Sequence, residues 1–116
     1  MRVNLRDVPR TFCPLEGITL HDVGDVVLGE DEQLTFTTES GKRNDIVRKE
    51  WGYYLSNSLN ATLKREGFKT ALVVSYASTP PRLYVNLVEV EKMVAFTEYL
   101  QEFSAAVVCW LDEFLP

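Results

Sequence analysis

The chain reads as a single α+β domain, a mixed β-sheet built from hairpins with two helices packed on one face. Three observations predict this. Apolar residues alternate with period two in short β-branched and aromatic runs. The spacing changes to three and four over residues 91–103. Polar stretches bearing Gly or Pro separate these segments. A length of 116 residues, 46% hydrophobic and 25% charged, fits one domain spanning 1–116. That apolar fraction excludes disorder as the main state, and no length is left to bury a second core.

Residues 1–17 are loosely patterned, with Pro9, Pro14 and Gly17 as punctuation, and are expected to be a loosely ordered segment before an α+β core over 18–112. Ile18, Leu20 and Val23 begin the first alternation, and Val26, Val27 and Leu28 lead into the acidic turn at 29–32. Residues 34–38 read as a strand and 46–55 as the next, joined as a hairpin across the polar turn 39–45. Gly52 within the second strand marks a bulge or a close backbone approach. Ser56, Asn57 and Ser58 are N-cap candidates for a short helix over 59–66, which Gly67 ends. Residues 69–76 and 82–89 form a second hairpin, broken by Thr79, Pro80 and Pro81. In its second strand Leu83, Val85 and Leu87 share one face and Tyr84, Asn86 and Val88 the other. Met93, Phe96, Leu100 and Phe103 line one helix face, and 105–111 is the last strand. A helix between two apolar strands is the format of a right-handed βαβ crossover.

Composition removes several function classes. The two cysteines, Cys13 and Cys109, are far apart in a chain without an export signal, so they read as reduced thiols and not as a disulfide framework. Neither has a basic neighbour in sequence to activate a thiolate. His21 is the single histidine, and a lone His21-Asp22 pair lacks the further ligands a metal site collects, so no metal and no cofactor is expected. No Gly-rich phosphate loop or Gly-x-Ser-x-Gly elbow occurs. The longest apolar run, residues 105–111, is far shorter than the ~20 residues of a membrane helix. With no signal-peptide pattern at the N-terminus, no membrane association and a cytoplasmic location are expected.

The net charge of −5 is unevenly spread. Residues 1–40 carry −5, residues 41–70 carry +4 and residues 71–116 carry −4. Overall acidity argues against nucleic-acid binding, which rewards a large basic surface. The basic island in the middle can still receive a phosphate or carboxylate.

Residues 46–60 concentrate the unusual chemistry. Strand alternation sets Lys49 between Val47 and Trp51, where its charge must snorkel or meet an anion. Trp51, Tyr53 and Tyr54 supply aromatic surfaces with polar handles, suited to stacking on a sugar or base. Ser56, Asn57 and Ser58 then open a helix whose free N–H groups favour an anion, with Asn60 on the polar side. Lys49, Trp51, Tyr53, Ser56, Asn57, Ser58 and Asn60 are therefore the candidate ligand-binding residues. A Trp/Tyr core cluster with an ordinary N-cap is the competing interpretation. Tyr53 and Lys49 could carry protons only in a pocket that shifts their pKa values, so catalytic residues stay unassigned.

The run from Asp45 to Tyr54, with Ser58-Leu59-Asn60, Leu63-Lys64, Gly67-Phe68 and Trp110-Leu111-Asp112, resembles small uncharacterised bacterial proteins encoded among surface-polysaccharide and nucleotide-sugar biosynthesis genes. The resemblance covers roughly residues 34–112 and implies a cytoplasmic accessory to glycan precursor synthesis. It supplies no catalytic residues. Three functions follow in order of preference. The first is a binding module for an anionic sugar metabolite, a nucleotide-sugar or sugar phosphate. The second is an interaction subunit that pairs with a biosynthetic enzyme or with itself as a homodimer through open strand edges. The third is a small sugar-modifying enzyme, disfavoured by the scarcity of His, Asp and Cys in catalytic spacing.

Overall fold

The computed structural model describes residues 1–115 and contains eight strands in three sheets and two short α-helices. Residues 1–34 with 46–54 form one compact unit, and the remaining described residues form another.

In the first unit, β1 (Arg2–Leu15) and β2 (Ile18–Val27) make an antiparallel ribbon, Arg2 opposite Val27 and Leu15 opposite Ile18. The segment expected to be loosely ordered is thus the longest strand of the protein. Its prolines misdirect the sequence reading for a physical reason. Pro9 lies in the register shift between Leu5 and Arg10, and Pro14 in the shift between Phe12 and Leu15. At such irregularities a residue without an N–H leaves no gap in the ladder. Gly24 faces the other strand so closely that a Cβ there would sit 2.2 Å from the Asn4 carbonyl oxygen, at a φ of +149°. Asp22 braces this region by accepting from the Gly24 N–H at 3.1 Å, from Arg10 at 3.2 Å and from Arg6 at 3.4 Å. The Gly24 N–H, followed by the two arginines, holds its carboxyl below the usual carboxylate range.

The middle sheet runs in the order β3 (Gln33–Thr37), β4 (Arg43–Lys49), β5 (Gly52–Leu55). The expected hairpin is present between the first two, closed by Gly41 N–H to Thr38 O and Thr38 N–H to Lys42 O, both 2.9 Å. The single strand expected over 46–55 is instead two strands, turning at Glu50 and Trp51. Gly52, at φ +145°, supplies the backbone conformation that this reversal uses.

The second unit contains α1 (Thr62–Arg65), β6 (Phe68–Ser75), β7 (Arg82–Glu89), α2 (Met93–Glu102) and β8 (Ala105–Trp110). Its sheet runs β7-β6-β8, with both outer strands antiparallel to β6. The second hairpin is therefore as expected, Phe68 opposite Glu89 and Ser75 opposite Arg82. Since β7 and β8 both oppose β6, they run parallel to each other. Helix α2 joins them as a crossover with β6 lying between, so the linked strands are not adjacent. The core collects Ala71, Val73 and Leu100, with Phe96, Ala105, Val107 and Trp110 packed against them. Leu63 of α1 is completely buried. Asp112, in a short 3-10 turn after β8, is buried and accepts the Thr70 N–H at 2.9 Å.

Strand therefore outweighs helix, and the protein is sheet-rich where a balanced α+β domain was expected. The ribbon adds strand where a loose segment was expected, and the helix expected over 59–66 shrinks to four residues. Among the described residues no helix is long and apolar enough to cross a membrane.

Candidate functional site

Lys49, Trp51 and Tyr53 belong to the first unit. There the β4–β5 turn presents an aromatic platform. The Trp51 and Tyr54 rings stack with centroids 6.0 Å apart and planes 25° from parallel. Continuous strand alternation would have paired Trp51 with Tyr53. The turn at Gly52 brings Trp51 beside Tyr54, while Tyr53 meets Arg48, whose guanidinium carbon lies 6.0 Å from its ring centroid. Trp51 is 71% exposed and Tyr53 59% exposed, so these rings do not form the core cluster that was the competing interpretation.

Lys49 is not a free cation. Its Nζ hydrogen-bonds and ion-pairs with Asp31, which stands at a left-handed φ of 63° and donates its own N–H to Arg48 O at 2.8 Å. The Asp31 hydrogen bond, then its charge, raises the Lys49 pKa above the ordinary lysine value, with smaller contributions from Tyr54 and Glu30. An anionic ligand at Lys49 must compete with Asp31.

Ser56, Asn57, Ser58 and Asn60 belong to the second unit, and their roles differ from expectation. Asn57 accepts the Asp45 N–H at 2.6 Å and donates to Asp45 Oδ2 at 3.1 Å, while the Ser56 N–H bonds to Asp45 O at 3.0 Å. Ser58 takes the Thr62 N–H on its Oγ at 2.8 Å and the Leu63 N–H on its carbonyl at 2.9 Å. The Ser56, Thr62 and Leu63 N–H groups are thus occupied within the chain. A four-residue helix also has little dipole to offer. Asn60 is exposed in the turn before α1. Sequence reasoning left Arg48 out of the site. The signal for it was Gly52, which marks where strand alternation stops applying.

A concavity lies wholly in the second unit. It is an open groove of 540 Å³ running along Val85–Glu89 of β7 and walled by Ala95, Phe96 and Tyr99 of α2. Glu89 closes one end. Its carboxylate accepts from Ser40 and from Thr38 (3.2 Å) and pairs with Lys92 at 3.4 Å. The Ser40 hydroxyl, followed by Lys92 and Thr38, holds this carboxyl below the usual range, so it is ionised at neutral pH. No group of three or more potential metal-ligating side chains occurs among the described residues.

Comparison with known protein families, curated proteins and solved structures yields no match to this chain.

Proposed function

We propose that the protein is a non-catalytic binding module that takes an anionic sugar metabolite, a nucleotide-sugar or sugar phosphate, on the Trp51–Tyr54 platform. It would act in the cytoplasm as an accessory to glycan precursor biosynthesis, the setting implied by the resemblance over residues 34–112. The observation that carries the reading is the stacked, solvent-exposed Trp51–Tyr54 pair, with the Lys49 charge near Tyr54. A large aromatic surface left in water costs hydrophobic free energy that a stacked sugar or base recovers. Lys49 supplies charge for a phosphate once Asp31 is displaced.

The test is a thermal-shift and calorimetric screen against nucleotide-sugars and sugar phosphates. A ligand that binds the folded state raises the unfolding midpoint with dose. Lys49→Ala should weaken the response, and Asp31→Asn should strengthen it by releasing the lysine. Exposed ion pairs contribute about 0.2–1 kcal/mol, so each change should be at most roughly fivefold in Kd. A flat response across the panel, or equal binding by all three proteins, would count against the reading.

A further inference from the structure

We infer that Lys69 and Asp112 condense into an intramolecular isopeptide bond, with Glu113 as the residue that carries the protons. The cluster lies within the second unit, and the inference stands independently of the aromatic platform and its ligand.

The register of the sheet brings the three side chains together. Ala71 of β6 lies opposite Trp110 of β8, so continuing that pairing by two residues sets Lys69 against Asp112. After Trp110 the chain enters the 3-10 turn Leu111–Glu113, which carries Asp112 onto the backbone of β6. There the Thr70 N–H donates to Asp112 Oδ1 at 2.9 Å. Lys69 Nζ lies 3.9 Å from Asp112 Oδ2, 2.5 Å from Glu113 Oε1 and 4.6 Å from the Trp110 ring centroid. The Asp112 side chain is completely buried, while those of Lys69 and Glu113 are 23% and 53% exposed.

An ordinary ion pair does not account for this arrangement. Lys69 directs its hydrogen bond to Glu113, and 3.9 Å is too long for one to Asp112. Asp112 Oδ2 therefore has no hydrogen-bond partner among the described residues, although it is closed to water. A buried carboxylate with one oxygen unsatisfied is costly, and a neutral amide in its place removes the buried charge. The amide carbonyl oxygen keeps the bond that the Thr70 N–H supplies.

Glu113 takes one proton from the Lys69 ammonium, which frees the lone pair on Nζ, and relays it to Asp112 Oδ2. Nζ then attacks Asp112 Cγ, and the charge that develops on Oδ1 meets the Thr70 N–H. A second proton leaves the nitrogen by the same route, the Cγ–Oδ2 bond breaks, and Oδ2 departs as water. One N–C bond forms and one C–O bond breaks. One hydrogen stays on the amide nitrogen, and nothing is oxidised or reduced. Holding amine and carboxyl together in one fold supplies the effective concentration that free partners lack.

The experiment is intact-mass spectrometry of the full chain after incubation in the folded state near neutral pH. The unaltered protein is expected to be lighter than its sequence by the mass of one water. Trypsin should then fail to cut at Lys69 and should release residues 66–82 joined to residues 93–116. Lys69→Arg keeps the positive charge but offers no amine nucleophile, and it should show its full mass with an unchanged far-UV circular dichroism spectrum. Glu113→Gln should slow the condensation by about 100-fold or more. The tryptic junction identifies the bond in the unaltered protein, so the reading holds even where a variant does not fold. An unaltered chain of full mass, a water lost from folded Lys69→Arg, a junction elsewhere than at 69 and 112, or a Glu113→Gln protein that condenses at the parental rate would overturn the inference.

Discussion

Thr70 and Asp112 form a buried contact in which two neighbouring polar groups have opposite worth. The Thr70 N–H donates to Asp112 Oδ1 at 2.9 Å, with both residues at most 2% exposed. The Thr70 hydroxyl, by contrast, has no hydrogen-bond partner among the described residues. Burying a hydroxyl without a partner costs about 1–3 kcal/mol on mutational scales. Thr70→Val keeps the β-branched shape and removes that penalty, so it should stabilise the protein by at least about 1 kcal/mol. For a chain of 116 residues this corresponds to a midpoint rise of roughly 4 °C per kcal/mol. Asp112→Ala should act in the opposite direction, because it strands the buried Thr70 N–H, at a cost of about 1–3 kcal/mol. Urea denaturation followed by far-UV circular dichroism reads both. A Thr70→Val protein less stable than the parent would mean that the hydroxyl is bonded, and the contact as described would be wrong.

Gly24→Ala should disrupt the β1–β2 ribbon, since its Cβ would meet the Asn4 carbonyl at 2.2 Å; a backbone forced to yield costs about 1–3 kcal/mol, and limited proteolysis should cut the ribbon sooner. Leu63→Ala empties a completely buried site and should cost about 2–5 kcal/mol by denaturant titration. Asp22 and Glu89 both have carboxyl pKa values lowered in the folded state, so their contribution is present above the unfolded values of 3.8 for Asp and 4.5 for Glu and is lost as pH falls through the folded ones. The unfolding midpoint should therefore be insensitive to these groups near neutrality and fall below about pH 4.5. Ser40→Ala removes the main cause at Glu89 and should move the acid limb to higher pH.

Where local patterning and tertiary structure agree, the sequence was legible. The β6–β7 hairpin follows from its alternation and the Pro80-Pro81 break, and α2 from the spacing of Phe96 and Leu100. Gly67 ends α1 as its position suggests, its N–H bonded to Lys64 O at 3.1 Å. The ribbon was not legible, because prolines that sit in register shifts look identical in sequence to prolines that break a strand. Nor was the short α1 legible. Asn57 looks like a helix cap, but Asp45, twelve residues earlier, engages it instead. The candidate site was legible as composition and not as geometry. Trp51, Tyr53 and Lys49 are all at the β4–β5 turn or its flank, yet the stacking partner of Trp51 and the counter-ion of Lys49 depend on the Gly52 reversal and on the Asp31 loop.

The groove of the second unit and the aromatic turn of the first differ in chemistry. The groove is lined by apolar side chains of β7 and α2 and by the paired Glu89 and Lys92. The turn offers the exposed, stacked Trp51–Tyr54 surface, on which we propose that an anionic sugar metabolite binds. The most direct measurement is isothermal titration of the highest-ranked nucleotide-sugar into the unaltered protein and into Trp51→Ala. Losing a stacked ring should cost about 1–3 kcal/mol, roughly 5- to 150-fold in Kd. Saturable binding weakened to that degree is the predicted result; binding that Trp51→Ala leaves intact would contradict the assignment of the site.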